Sequence, residues 1–189
     1  TLVAKVLLNL YRYSTSTSQE ILKIIDKFSS KIFLTHQAGL EFHRNRFEVI
    51  TEQEKAYKEF TENIKKIEEE LNSKSKHPFL SDLLHEKLKA VLVEVKNETQ
   101  TNEKFYCDLI LDDNIYEKLN HIFSGKIENE FSDEQLAKIY EEGKIRYEKK
   151  IPPGFEDEKE KEGNKIFGDL ILWKQIIENA KSNGKPIIL

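Results

Sequence analysis

The N-terminal third of the chain has the alternation of elements expected for an α/β fold. Residues 2–10 (LVAKVLLNL) are almost continuously apolar, which is typical of a strand buried on both faces of a parallel sheet. Thr17 and Glu20 have the spacing of a capping box and predict the start of a helix. Residues 31–35 (KIFLT) predict a second strand, which completes a βαβ unit. The predicted helix has its apolar side chains on one face: Ile21, Ile24, Ile25 and Phe28.

A long helical pattern follows from about Gln37 to Leu71, and a polar segment at 73–79 interrupts it. A second apolar stripe then begins at Leu80. Two amphipathic helices with a short polar linker predict an antiparallel hairpin. The polar run at 96–104 predicts its end. We therefore expect a single domain, 1–189, with an inserted helical hairpin at 51–104. The two apolar stripes of the hairpin are Leu40, Phe47, Ile50, Ala56, Phe60, Ile64, Ile67 and Leu71, and then Leu80, Leu84, Leu88, Val91 and Val95.

The C-terminal part predicts three more helices. Asp112 and Asp113 are expected to open a helix at Ile115, because adjacent helix positions point in different directions and suit a metal site poorly. Ser132 and Gln135 form another capping box. The last helix is expected to end near Gly184, before KPIIL starts another strand. Its predicted buried face comprises Leu170, Trp173, Ile177 and Ala180.

Composition narrows the class of protein. The 189 residues include 34% charged side chains and have a net charge of −4, which disfavours coating of nucleic acid by bulk electrostatics but allows a local basic groove. The single cysteine, Cys107, excludes an intrachain disulfide framework. No apolar run approaches the roughly 20 residues that span a bilayer. We therefore expect a cytoplasmic protein without a membrane partner.

Carboxylate chemistry is the remaining candidate, because the chain has no Gly-rich phosphate loop and its five histidines lack zinc-ligand spacing. Glu41 is followed at i+3 and i+4 by Arg44 and Asn45, so the three side chains share a helix face. They suit either a solvated helical ion pair or a site that binds a metal and a phosphate. Asp169 follows Gly168 in the first turn of an apolar helix, where N-terminal capping would also explain it.

Three ordered segments resemble the PIN-like domain family, a branch of the PIN nuclease superfamily. They are VLLNLYRYS, HQAGLEFHRNRFEVI and IRYEKKIPPGFEDEKEKEGNKIFGDLILWKQIIENAK. The resemblance covers roughly residues 2–50 and 105–189. Its C-terminal part is specific, because PPGF, GDLILW and QIIENAK recur in order and at close spacing.

The resemblance implies a three-layer α/β/α sandwich with a central parallel sheet. It also implies a metal-dependent endonuclease that hydrolyses phosphodiester bonds with Mg²⁺ or Mn²⁺, in RNA rather than DNA. Glu41 and Asp169 match the catalytic, metal-binding acids of the family. The resemblance gives Arg12, Arg44, Asn45 and Lys165 as nucleic-acid-binding residues, with Asn9 and Asp157 as further site residues.

The family pattern also differs from this chain at two places. An Asp-x-Asn of the family corresponds to Val3, Ala4 and Lys5 here, and a further acid would follow the final strand, beyond Leu189. Two of the four implied carboxylates are therefore present. We expect a domain that is incomplete at both ends and binds metal weakly.

Two other interpretations stay open. The first is a catalytically inactive PIN-like scaffold that binds nucleic acid, a protein partner or a second copy through the hairpin, where Phe60 and Ile64 would face Leu84 and Leu88. The second is a toxin-like or defence nuclease that a partner holds inactive.

Overall fold

The computed structural model describes residues 3–73, 80–156, 163–184 and 186–188. These residues contain α-helices and short 3₁₀ turns but no β-strand, so the predicted α/β/α sandwich is wrong and the described chain is all-α. Leu34 and Ile127 form an isolated parallel bridge. No described helix is both long and apolar enough to cross a bilayer. The helices are α1 (Ala4–Leu8), α2 (Thr15–Lys27), α3 (His36–Asn72), α4 (Asp82–Leu109), α5 (Asn114–Phe123), α6 (Asp133–Glu148) and α7 (Gly168–Asn183), with 3₁₀ turns at Asn9–Tyr11 and Gly163–Phe167.

The N-terminal run predicted as a strand is helical. It forms α1 and the 3₁₀ turn Asn9–Tyr11. Ala4, Leu7, Leu8 and Tyr11 are buried, which is the i, i+3, i+4, i+7 spacing of one helix face. A short apolar run of this kind does not distinguish a buried helix from a buried strand. Residues 31–35, the second predicted strand, do not form a strand. Leu34 alone pairs, in the isolated bridge with Ile127.

Helix α2 begins three residues earlier than predicted. Its N-cap is Ser14, whose hydroxyl accepts the Thr17 backbone N–H at 3.3 Å, so the predicted capping box at Thr17 is wrong. Several neighbouring Ser and Thr residues offer similar caps, and the sequence alone does not choose between them. The buried face is also rotated: the hydroxyl of Ser18 donates to a backbone carbonyl inside the core. Ile24 is 56% exposed and Phe28 is 46% exposed, contrary to the predicted face.

The chain divides into two compact units. Unit 1 comprises residues 1–45 and 117–189, and unit 2 comprises residues 46–116. In unit 2, α4 continues through the polar run at 96–104, where the hairpin was predicted to end. The Thr61 and Thr99 hydroxyls lie 3.1 Å apart, and the Tyr57 and Tyr106 rings stack at 5.6 Å. These cross-helix contacts keep the polar segment helical.

The core of unit 2 confirms part of the predicted stripes. Ile64, Leu71 and Leu92 are buried together, and Leu80, Leu88 and Val95 pack against them. Phe60 and Ile67 of the same stripe are half-exposed, so these two side chains are not part of this core. The carboxylate of Asp113 accepts the Tyr116 backbone N–H at 2.9 Å, so it opens α5 as predicted. The insertion at 51–104 lies within unit 2 and stays a prediction.

In unit 1 one core cluster joins α6 to α7. It contains Ile139, Tyr147, Phe167, Leu170 and Ile171. The capping box of Ser132 and Gln135 is confirmed, and Gly184 ends α7 in the left-handed conformation with φ +60. The predicted buried face of α7 is only partly right, because Trp173 is 38% exposed and Gln175 is buried in its place.

Gly143 allows α6 to approach the Phe167 ring. A Cβ at this position would lie 2.4 Å from Phe167 Cδ1, whereas a Cβ on Gly39 would meet only Leu34 Cδ2, at 3.6 Å. We expect Gly143→Ala to lower the free energy of unfolding by about 1–3 kcal/mol through overpacking. The control Gly39→Ala should be neutral or stabilising by up to about 1 kcal/mol, because alanine favours helix. Urea denaturation measures both, and equal effects would contradict the close approach.

An ion pair between α6 and α7 predicts a pH dependence of stability. Lys174 Nζ donates to Glu142 Oε2 at 2.7 Å, and this bond, with the charge of Arg146, lowers the pKa of Glu142 below its ordinary 4.5. A lowered pKa in the folded state stabilises the fold above the unfolded pKa, and that contribution is lost as the pH falls through the folded value. Glu142→Gln should therefore cost about 0.5–1 kcal/mol of unfolding free energy at neutral pH, the range of a part-exposed pair.

The difference between wild type and Glu142→Gln should shrink as the pH falls below 4.5, the ordinary pKa of the Glu142 side chain. Denaturation at several pH values measures it. Glu141→Gln is the matched control, since Glu141 pairs with Lys144 of the same helix at 2.7 Å and with no residue of α7 in the part of the chain that the structure describes. A penalty for Glu142→Gln that does not depend on pH would contradict the assignment.

Candidate active site

Glu41 lies in the second turn of α3, and the start of this helix is fixed by the segment before it. The parallel bridge between Leu34 and Ile127 holds that segment. The Thr35 side chain is fully buried, and its hydroxyl accepts the Ala38 backbone N–H at 3.2 Å. A threonine at this position caps one of the N–H groups that have no partner inside the helix. The local sequence therefore sets where Glu41 falls on the helix.

A second cap comes from α7. The Gln175 side chain is 2% exposed, and its Oε1 accepts the backbone N–H of Gln37 at 3.0 Å. The side chain of Gln37 in turn donates from Nε2 to Glu41 Oε1 at 2.7 Å. Gln37 of α3 is thus bound to Gln175 of α7 through its backbone N–H and to the Glu41 carboxylate through its side chain.

Gly168 brings the two predicted acids to neighbouring positions. A Cβ at Gly168 would lie 2.7 Å from Glu41 Oε1 and 3.1 Å from Gln37 Nε2. The Glu41 carboxylate therefore lies against the main chain of the residue that immediately precedes Asp169. Asp169 itself is in the first turn of α7, where the helix dipole favours a carboxylate.

The PPGF loop packs on the other side of Asp169. A Cβ on Gly154, which has φ +83, would lie 2.8 Å from Asp169 Cβ and 2.7 Å from Tyr147 Oη. The hydroxyl of Tyr147 donates to the Ile166 carbonyl at 3.0 Å, and the Arg146 guanidinium donates to a carbonyl of the loop. The end of α6 therefore holds this loop against the start of α7. Asp157 lies outside the described residues.

Two predicted nucleic-acid-binding residues line one cavity of unit 1. Arg44 and Lys165 both border a cavity of about 390 Å³, and Gln37 and Gln175 line it as well. Both cationic side chains are exposed, and within the described ranges neither has an ion-pair or hydrogen-bond partner. Asn45 is exposed and is not among the residues that line this cavity.

The remaining two predicted site residues lie at the N-terminal 3₁₀ turn. Asn9 is partly buried, and its carbonyl accepts the Arg12 backbone N–H at 2.9 Å. Neither residue borders the cavity of Arg44 and Lys165. The turn is joined to α3 by the stacked rings of Tyr11 and Phe42, with centroids 6.2 Å apart. The site roles of Asn9 and Arg12 therefore remain predictions from the resemblance.

The donor set fits a hard divalent cation held by few protein ligands. Within the described parts of the chain, no group of three or more His, Cys, Asp and Glu side chains is arranged around a metal position. Glu41 and Asp169 are the two acids at this place: the Glu41 carboxylate lies against the main chain of Gly168, and Asp169 is the next residue of α7. Mg²⁺ is commonly bound through one or two carboxylates while water and phosphate oxygens complete its shell.

The pattern of acids did not reveal the residues that position the site. Gln37, Gln175 and Tyr147 support Glu41 and Asp169, and the two glycines give them room. Their sequence signal was membership of the HQAGLEF, IRYEKKIPPGF, GDLILW and QIIENAK segments, which suggested importance but no role.

Comparison with known proteins agrees with the resemblance of these segments. The family model described as "PIN like domain" matches residues 2–189. No curated protein and no solved structure matches the chain. A match over almost the whole length, including the segments that carry Glu41 and Asp169, shows that the chain belongs to the PIN-like domain family.

Proposed function

We propose that this domain binds nucleic acid and, with Mg²⁺ or Mn²⁺, hydrolyses phosphodiester bonds, in RNA rather than DNA. The family is of nuclease type. The observation that carries the proposal is the approach of Glu41 to the main chain next to Asp169 at Gly168. Arg44 and Lys165 line a cavity that also includes Gln37, the hydrogen-bond partner of Glu41, and they supply the positive charge that a phosphate backbone requires.

Each residue has a distinct part in this proposal. Gln37 orients the Glu41 carboxylate by donating to Oε1, which leaves Oε2 for a cation. Asp169 is held at the start of α7 by the Gly154 segment. Arg44 and Lys165 bind phosphates and offset their repulsion by the two acids. A bound Mg²⁺ or Mn²⁺ would polarise the phosphodiester and lower the pKa of an attacking water.

The second candidate function is nucleic-acid binding without cleavage. The specific observation in its favour is that no cluster of three potential ligands surrounds Glu41 among the described residues. A protein partner on the hairpin would extend this candidate, since Phe60, Ile67 and Val91 of unit 2 are half-exposed. Cleavage that depends on Mn²⁺ and on both acids would refute the second candidate.

Replacing either acid by its amide should weaken metal binding and stop cleavage. Glu41→Gln and Asp169→Asn keep the size of each side chain but remove a charged oxygen donor. We expect the Mn²⁺ affinity to fall about tenfold or more, which is the effect of removing a residue that supports a metal ligand. The rate of cleavage should fall about a hundredfold or more. Calorimetric Mn²⁺ titration and a gel assay with labelled single-stranded RNA and DNA, with EDTA as blank, measure the two effects.

Glu134→Gln is the matched control, because Glu134 is an exposed acid in the first turn of α6 and does not line the cavity of Arg44 and Lys165. It should bind Mn²⁺ and cut as wild type does. The nuclease proposal fails if wild type cuts neither strand with Mn²⁺, or if both site variants cut as well as the control. Faster cutting of DNA would refute only the substrate preference.

Removing either cation of the cavity should weaken binding of nucleic acid in a salt-dependent way. Arg44→Ala and Lys165→Ala should each lower the affinity for single-stranded RNA, and each should reduce the slope of log K against log salt by about 0.7. Fluorescence anisotropy across a salt series, in EDTA, measures both quantities. The control Lys118→Ala removes an exposed lysine from another cavity of unit 1 and should leave the slope unchanged. Equal slopes for all four proteins would place the strand elsewhere.

A further inference from the structure

The cavity that Arg44 and Lys165 line has walls suited to a flat aromatic ligand, and Gln37, the hydrogen-bond partner of Glu41, is part of its lining. Its volume of about 390 Å³ lies within the range of small-molecule sites. The apolar part of its lining combines aliphatic and aromatic side chains. They are Leu40, Phe131, Leu136, Tyr140 and Ile171. A planar ring could therefore be desolvated here and contact an aromatic face.

Three amide side chains line this cavity, Gln37, Asn164 and Gln175, and two of them, Gln37 and Gln175, each have one group already engaged. Nε2 of Gln37 is engaged by Glu41, and Oε1 of Gln175 is engaged by the Gln37 backbone N–H. These partners fix the orientation of both amides, so the atoms that remain are Oε1 of Gln37 and Nε2 of Gln175. Neither atom has a hydrogen-bond partner in the described part of the chain. Both residues line the cavity, and they are only 8% and 2% exposed.

Such a pair favours a ligand with a complementary edge. Burying an amide donor or acceptor without a partner costs about 1–3 kcal/mol, so a ligand that pairs with both atoms is selected over one that does not. The edge of a nucleobase presents a donor beside an acceptor, and its face stacks on aromatic rings. The cations Arg44 and Lys165 on the same cavity suit the phosphates on either side of such a base.

We propose that this cavity binds one unstacked nucleobase of a single-stranded nucleic acid, with stacking on Phe131 or Tyr140 and edge contacts to Gln37 and Gln175. The proposal deepens the proposed function and rests on it for the presence of a strand beside Glu41. A base inside a duplex cannot enter, because both its faces are stacked and its edge is paired. The domain would therefore select single-stranded segments before any cleavage takes place.

The test compares two short strands of equal length and charge. One is an oligouridylate, and the other is the same ribose-phosphate chain without bases. Binding is measured by fluorescence anisotropy of the full chain in EDTA, so that no cleavage is involved. We expect wild type to bind the base-bearing strand about tenfold or more tightly, which is the effect of one stacked base.

A variant then assigns the preference to the cavity. Phe131→Leu keeps an apolar side chain but removes the ring, and it should reduce the preference to about twofold or less. The matched control is Phe28→Leu, since Phe28 is 46% exposed at the end of α2 and does not line this cavity. It should keep the wild-type preference. Circular dichroism melts verify that both variants are folded. The comparison of the two strands on the wild-type protein tests the proposal even if a variant does not fold.

The outcomes separate this proposal from the nuclease proposal. Equal affinity for the two strands, no binding of either, or equal preferences in Phe131→Leu and Phe28→Leu would overturn the base site. Duplex RNA bound as tightly as the single strand would overturn it as well. Uridine monophosphate bound as tightly as the strand would mean a site for a free nucleotide and would also overturn it. Base-dependent binding without Mn²⁺-dependent cleavage would support the base site and refute only the nuclease.

Discussion

The candidate site depends on one hydrogen bond between helices, from the backbone of Gln37 to the side chain of Gln175, at 3.0 Å. The first N–H groups of a helix have no partner within it, and leaving a buried one unpaired costs about 1–3 kcal/mol. Gln175 satisfies this group from α7. Gly168 lies two turns earlier on the same helix, so the bond also fixes where α7 passes Glu41. The second amide bond, from Gln37 to Glu41, then orients the carboxylate.

Local chemistry could be predicted from the sequence, because it depends on few neighbours. The capping box at Ser132, the cap at Asp113 and the stop at Gly184 were all predicted from their own segments. The bounds of α3 were predicted to within a residue, since a long periodic pattern determines them. Residues 2–10 could not be assigned in this way, because their apolarity suits a buried strand and a buried helix equally.

The site was predictable only as far as charged residues mark it. The resemblance gave Glu41 and Asp169, and in the structure Gly168 links the positions of these two acids. It did not give the role of Gln175, because a glutamine in an amphipathic helix normally belongs to the solvated face. Its burial follows from an unpaired N–H of α3, which is distant in sequence. The resemblance implied a parallel sheet, but among the described residues the parallel pairing consists of the isolated bridge between Leu34 and Ile127.

A site with two carboxylates and two nearby cations has a consequence for how its ligands would bind. In the proposed function, the acids Glu41 and Asp169 repel a phosphate, while Arg44 and Lys165 attract it. A divalent cation on the acids would remove that repulsion, and the phosphate would in turn complete the sparse metal shell. The affinities for metal and strand are therefore coupled, and by linkage each raises the other by the same factor. Under this proposal few protein ligands would suffice, because phosphate oxygens of the substrate would complete the metal shell, and the metal would be held chiefly when a strand is present.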